Sequence, residues 1–367
     1  MFILIGLLFI ALYAFLVFFI GWSGWKWMKP MLSKNFRIAY IVLLIMLATS
    51  FIFGQVFQNI HFITYIGSYW LAVFSLLVLL LPLVHLVLWL SRLTRLPKHT
   101  VVKWSGFVTL LLLISLIAYG SYNAYTPTVR TYDVSIAKEV PATEQLNIVM
   151  ASDMHFSLLS GKKHAERMVE EINALKPDIV LFPGDILDDQ IEPYLDQGID
   201  KLLEKIEAPY GVYASLGNHD KYKGHTDELI GVLENSGIQV LYDESLTIDN
   251  KFTLIGRKDY SDSDRAALSE LMAGLDTSKP FILLDHQPNE LDIAQQNGID
   301  LILSGHTHYG QVAPANLITG LMFENDWGYL QKGQLHSIVS SGYGFWGPPI
   351  RIGSQSEIVQ IHVSFGK

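Results

Sequence analysis

The first 120 residues contain eight Lys or Arg and no Asp or Glu. Four apolar runs lie in this acid-free stretch: Met1 to Trp22, Ile38–Phe57, Tyr69–Leu90 and Trp104–Tyr119. Each approaches the ~20 residues that carry a helix across ~30 Å of hydrocarbon. Backbone in hydrocarbon must satisfy its own hydrogen bonds, so such runs fold as helices. The pattern predicts an α-helical membrane block of four spans over residues 1–120, with the fourth span the shortest. The first run has no basic leader and ends in Gly-Trp, so it reads as a span and not as a cleaved signal. Trp22, Trp25, Trp27, Tyr69, Trp70, Trp89 and Trp104 fall near the run ends, where amphipathic rings favour the interface.

Basic residues set the orientation. Lys26, Lys29, Lys34 and Arg37 follow the first run, and Arg92, Arg95, Lys98 and Lys103 precede the fourth. The connection 55–68 has neither Lys nor Arg. Basic connections stay in the cytoplasm. The expectation is a plasma-membrane protein whose C-terminal domain is extracytoplasmic. His85 is the one candidate functional ionisable group in the runs; a lone His near a span end reads as interfacial, and the block as an anchor.

Residues 121–367 carry all 35 acidic residues against 18 basic ones. Such a domain is a poor partner for nucleic acid, whose binding needs basic side chains, and is better suited to holding cations. Without cysteine there is no thiolate metal site and no disulfide. Residues 121–144 read as a linker. From 145 to 367 the pattern is an α/β domain. Short buried strands are expected at Leu146–Ser152, 178–183, 211–216, 281–284 and 301–303, and a helix at 163–175 with Met168, Ile172 and Leu175 on one face. Alternation at Ile358, Gln360 and His362 reads as antiparallel strand.

Each strand ends in a polar cluster: Asp153-Met154-His155, Gly184 to Asp188, Gly217-Asn218-His219-Asp220, Asp285-His286, and Gly305-His306-Thr307-His308. Alone, each is weak. Together, carboxylates and imidazoles in one cleft need a cation to neutralise them. Alternate residues of a strand share a face, so Asp153 with His155, and His306 with His308, are expected to aim at common ions. Asp185, just before a turn, is the natural bridge between two metals. Imidazole, carboxylate and amide oxygen suit Mn, Fe or Zn, with Mn first. Two ions ~3.5–4 Å apart promote in-line displacement at phosphorus.

These clusters, read as D-x-H, G-D-x-x-D, G-N-H-D, H and G-H-x-H, resemble the calcineurin-like metallophosphoesterases over roughly 145–365. The stretches Leu233–Leu241, Gly305–Gln311 and Gly342–Arg351 are similar to a bacterial membrane-associated branch that includes relatives of UDP-2,3-diacylglucosamine hydrolases. Tyr309 stands where that branch often has Gly, which is expected to narrow the pocket. The resemblance implies a four-layer αββα sandwich. It also implies one metal on Asp153, His155, Asp185 and His308 and another on Asp185, Asn218, His286 and His306. His219 would be the general acid, oriented by Asp220, with Asp188 mainly structural.

Other residues are read more loosely. Phe156, Leu158 and Leu159 could form an apolar lip, and Phe345 with Trp346 a substrate-facing or membrane-facing loop. His164, Lys162, Lys163 and Arg351 read chiefly as surface groups. The acids between 185 and 192 read as mostly solvated, and His225 and His336 give no signal. The expected function is hydrolysis of a phosphate mono- or diester or pyrophosphate, in a lipid-linked or cell-envelope substrate. The rival is a metal-stabilised binding or signalling module without turnover.

Overall fold

The computed structural model describes residues 2–33, 35–56, 60–140, 143, 145–221 and 226–366. Lys34 and His225 lie outside the described residues. The chain divides into two units, residues 1–121 with 347–350, and residues 122–346 with 351–367.

The first unit contains α1 (Phe2–Met28), α2 (Phe36–Val56), α3 (His61–Leu90) and α4 (Lys98–Tyr125), whose last turn belongs to the second unit. All four are long and apolar enough to cross a membrane. They expose Leu8, Phe15, Ile38 and Leu111, a surface that suits lipid and not water. The fourth is not the shortest: α4 has 28 residues and α2 has 21. Backbone hydrogen bonding continues past the point where hydropathy falls, so Lys98–Lys103 and Ser121–Tyr125 remain helical. His85 is more than an interfacial side chain. Its Nε2 lies 2.9 Å from the Ser23 hydroxyl, and its ring stacks 5.5 Å from Trp22.

The second unit begins with β1 (Thr128–Ile136), β2 (Gln145–Met150), α5 (Lys162–Ala174), β3 (Ile179–Pro183), α6 (Glu192–Asp196) and α7 (Ile199–Leu203). It continues through β4 (Val212–Ser215), α8 (Thr226–Asn235), β5 (Ile238–Val240), β6 (Glu244–Ile248), β7 (Phe252–Gly256) and α9 (Leu268–Leu271). It ends with β8 (Phe281–Leu284), α10 (Leu291–Gln296), β9 (Leu301–Ser304), α11 (Asn316–Met322), β10 (Gly328–Lys332), β11 (Leu335–Val339) and β12 (Glu357–Phe365). Among the described residues these strands form two six-stranded mixed sheets, β1-β12-β2-β3-β4-β5 and β10-β11-β9-β8-β7-β6.

Side-chain parity explains the layers. Leu146, Ile148 and Met150 of β2 and Ile179 and Leu181 of β3 share a core with Leu254, Ile282, Leu284, Leu301 and Leu303 of the other sheet. Their neighbours Val149, Val180 and Phe182 face the opposite way and meet Ala165, Met168 and Ile172 of α5. Period 2 in the strands against 3.6 in the helix puts apolar groups on both faces of the sheet. Phe281 and Leu283 likewise meet Leu268 and Leu291 of the short helices outside the second sheet. The result is the expected order of helix, sheet, sheet, helix.

Residues 128–136, inside the expected linker, form β1. Among the described residues only β12 flanks it, and its burial alternates along the strand. β12 runs antiparallel to β2, as the alternation at Ile358–His362 suggested, and parallel to β1. Ile361 of β12 is fully buried in the shared core. Ile361→Ala is expected to cost about 2–5 kcal/mol, read as a lower denaturation midpoint in detergent. An unchanged midpoint would mean that the two sheets do not depend on a common core.

Candidate metal centre

The five polar clusters follow the carboxyl ends of β2, β3 and β4 in one sheet and of β8 and β9 in the other. Parallel strands end on the same side, so their trailing loops gather there. The donors are not on the strands themselves. Asp153, His155, Asp185, His306 and His308 have φ of 50°, 44°, 53°, 69° and 48°, a left-handed conformation that a non-glycine residue rarely adopts. Strand alternation therefore does not align Asp153 with His155; tight turns past the strand ends do, and they send His306 and His308 to different donor groups, against the expectation of a common ion. Such strain costs on the order of 1–3 kcal/mol per residue and persists only where the surroundings enforce it.

The surroundings are hydrogen bonds and close approaches. The Asp153 carboxylate accepts from the His306 N–H at 2.8 Å and from the Ser152 hydroxyl at 2.6 Å. That of Asp185 accepts from the His219 N–H at 2.9 Å. A Cβ at Gly305 would collide with the Asp153 carboxylate, and one at Gly217 with that of Asp185. Both positions need glycine for that reason alone.

Three groups of donors result, the atoms of each lying within 4.8 Å of one another: Asp153, His155 and His308; His155, Asp188 and His219; Asp185, His286 and His306. The Asp185 Oδ2 lies 3.1 Å from His286 Nε2 and 3.7 Å from His155 Nε2, so it reaches toward both the first and the third group. The two rings His155 and His308 bring their Nε2 atoms to 3.1 Å. His286 gives its Nδ1–H to the Pro183 carbonyl at 2.9 Å, so Nε2 is the nitrogen turned to the other donors. Among the described residues, buried His286 Nε2 and Asn218 Oδ1 have no hydrogen-bond partner. Orphaned buried acceptors are costly, and a divalent cation would satisfy both. The residues present thus fit a metal pair.

The charges are strongly coupled. Burial would raise the Asp185 pKa, but His286 and His155 outweigh it and hold the carboxyl well below the usual range. Burial would lower the His286 pKa, but Asp185 outweighs it and drives it up to about 10. His308 is pushed well below its ordinary value by burial and by His155 beside it.

His219 stands at the edge of the group, its ring 5.0 Å from His155 and 5.8 Å from Trp346. Asp220 does not orient it. The Asp220 carboxylate is buried and accepts from the Gly217 and Leu187 N–H groups, each at 2.9 Å; it ties two ligand loops together. The partner of His219 is Asp189, whose Oδ1 lies 2.9 Å from Nδ1. Burial opposes charge on His219, but Asp189 and Asp185 push its pKa up to about 9. Asp189 was among the acids read as solvated, and it is exposed on its outer side; only the fold shows which neighbour it meets. Asp188 lies 3.4 Å from His155 Nδ1, placed to hold that ring.

Several looser readings change. Phe156 is fully buried and forms no lip. Arg351 is fully buried as well: its guanidinium donates to the Gly344 carbonyl at 2.6 Å and lies 3.2 Å from His308 Nδ1. Phe345 is buried and Trp346 is exposed. The Tyr309 ring packs at a tilt, 4.6 Å from Trp327, and its φ of 47° explains why glycine would suit the position. His336 is structural, bonded to Tyr329 and to the Ser135 carbonyl.

His164 is buried, with Nε2 donating to the Tyr343 carbonyl and its ring 4.3 Å from that of Tyr343. Burial lowers its pKa to about 4. In the unfolded chain it titrates near ~6.5. Between these values the unfolded chain binds the extra proton, so stability is lost as pH falls through that window, by on the order of 3 kcal/mol in full. His164→Gln is expected to flatten the fall of the thermal midpoint between pH 6.5 and 4. Parallel profiles for the two proteins would count against it.

Comparison with known proteins agrees with this geometry. The family model described as calcineurin-like phosphoesterase matches residues 146–310. An uncharacterized metallophosphoesterase of Campylobacter jejuni is 31% identical over 70% of this chain and 69% of its own length. One of Aquifex aeolicus is 32% identical over 69% of this chain and 98% of its own. A transmembrane protein with metallophosphoesterase domain from Danio rerio is 30% identical over 74% of this chain and 66% of its own.

Proposed function

The chain belongs to the calcineurin-like phosphoesterase family, and from that premise we propose a membrane-anchored, two-metal hydrolase of phosphate ester or pyrophosphate bonds. Its substrate is lipid-linked or part of the cell envelope, and its catalytic unit lies on the extracytoplasmic side of the plasma membrane. The observation that carries the two-metal reading is the Asp185 carboxylate oxygen within 3.1 Å and 3.7 Å of imidazoles from two separate donor groups. One ion would be held by Asp153, His155, Asp185 and His308, the other by Asp185, Asn218, His286 and His306. The nitrogen and oxygen donors suit Mn first, then Fe or Zn. When bound, such a pair supplies positive charge for the phosphoryl oxygens and an acidified water for in-line attack.

The remaining chemistry falls to this chain's own residues. Asp189 holds His219 by Nδ1, which turns Nε2 toward the cleft and keeps the ring protonated. His219 then gives that proton to the departing oxygen. Asp220 keeps the Gly217 and Leu187 loops in register, a positioning role. Trp346, packed near His219, borders the leaving-group side. Support for a lipid-linked substrate comes from the four apolar helices and from Tyr125, the last residue of α4, whose ring lies 5.1 Å from Phe345 beside Trp346.

The test is hydrolysis of bis-p-nitrophenyl phosphate and a panel of lipid phosphates by the detergent-purified protein, with and without Mn. Asp185→Ala is expected to lose both bound metal and turnover. His219→Ala should keep the metal and lose roughly 10²–10⁴-fold in rate, with Asp189→Asn between it and the parent. Full activity in His219→Ala would remove the general acid. Turnover of soluble nucleotides with every lipid phosphate inert would remove the lipid. A periplasmic-type reporter fused at the C-terminus should be active; cytoplasmic placement would reverse the topology.

A further inference from the structure

Helix α11 turns its apolar side outward. Leu317, Ile318, Leu321 and Met322 are 65%, 60%, 88% and 68% exposed. Their spacing of i, i+1, i+4 and i+5 places them on one face. A surface helix ordinarily directs that face to the core. Here the inner side is polar: the Thr319 hydroxyl bonds the Asp326 carboxylate at 2.7 Å. No charged residue interrupts the stretch 311–323.

The helix is fixed to the metal centre. Gly310 approaches Ala315 and Asn316 so closely that a Cβ would not fit. Phe323, which follows α11, lies 6.0 Å from the His306 ring, and the Thr307 hydroxyl bonds the Asp326 carbonyl at 2.6 Å. The exposed face is therefore held rigidly beside two of the donor histidines.

We propose that α11 is an interfacial membrane contact: its outer face sits in the headgroup–acyl boundary of the bilayer, so that the metal centre opens at the lipid surface. Three observations select a bilayer as the occupant. The same chain carries four helices long and apolar enough to cross one. Two residues separate α4 from β1, a connection reaching on the order of 10 Å, so the chain enters β1 within about that distance of the end of α4. An uncharged apolar face without acceptors for a specific polar partner matches the acyl boundary, where burial scales with apolar area. The inference rests on the reading that α1–α4 cross a membrane, and goes beyond it.

The chain has no cysteine, so single nitroxide labels can be placed cleanly in the full-length protein. Leu321→Cys and Ile318→Cys report on α11, Leu111→Cys on α4, and Lys201→Cys on the water-exposed side of α7. The labelled proteins are reconstituted in phosphatidylcholine–phosphatidylglycerol nanodiscs, and accessibility to oxygen is compared with that to a nickel chelate. Labels at 318 and 321 are expected to show an oxygen-to-nickel ratio several-fold above that at 201, approaching that at 111. Two α11 sites keep the test alive should one variant misfold. Water-like ratios at 318 and 321, with a lipid-like ratio at 111, would overturn the inference and leave the membrane anchor standing. Exclusion of both reagents with dipolar broadening would also overturn it, since a second copy of the chain would then cover α11. A water-like ratio at 111 would overturn the anchor and the inference together.

Discussion

Asp185 is buried to 1% exposure, with one carboxylate oxygen between two imidazoles and the other on the His219 N–H. A carboxylate so far from water is tolerable only with compensating positive charge. His286 supplies part of that charge, its pKa driven up to about 10 by Asp185 against the pull of burial; the His155 pKa also rises against burial, through Asp188 first and then Asp185. A divalent ion supplies it better, because it frees the same nitrogens as ligands and releases their protons. The site is thus poised between two ways of neutralising one oxygen, and metal affinity should follow pH for that reason.

The two-sheet architecture makes this convergence possible. Asp153, Asp185 and Asn218 come from one sheet, His286, His306 and His308 from the other. Neither sheet alone supplies a full set. The core shared by the sheets therefore fixes the distance across the site, and the left-handed turns at the strand ends supply the last adjustment. Gly217 and Gly305 let loops from β4 and β9 come within contact of carboxylates from β3 and β2. A methyl group at either would have to push those carboxylates apart.

Candidate donors were legible in the sequence because their chemistry is local: strand, then carboxylate or imidazole. The membrane helices were legible because hydrocarbon leaves the backbone no alternative. What escaped was whatever depends on a neighbour distant in sequence. Asp189 and Asp220 are both acids near a ligand, and nothing in their spacing says that the first meets the His219 ring while the second caps Gly217 and Leu187. Arg351 reads as a surface cation until its guanidinium is seen against the Gly344 carbonyl. β1 was hidden because an edge strand is half polar, although its alternation over Val129–Ile136 was there to be read. Strand parity gave the right partner for Asp153, His155, by the wrong geometry, since turns and not pleats aim them; it gave the wrong one for His306, which joins Asp185 and His286 and not His308.

The charge asymmetry of the chain takes on a physical sense once the site is placed. A membrane block without acids and a domain rich in them could reflect solvation alone. Yet Asp153, Asp185, Asp188 and Asp189 gather at one cleft, and among the described residues Arg351 donates to carbonyls while Arg257 and Arg265 are engaged by Asp285 and Glu290. An anionic phosphate entering such a cleft would meet repulsion if the carboxylates stood alone. Two divalent ions held there would cancel the charge of the four carboxylates. The acids proposed to hold the ions would therefore also disfavour phosphate in the metal-free protein. Selectivity for the metal-bound state is then a consequence of the cleft's own charge, without any moving part.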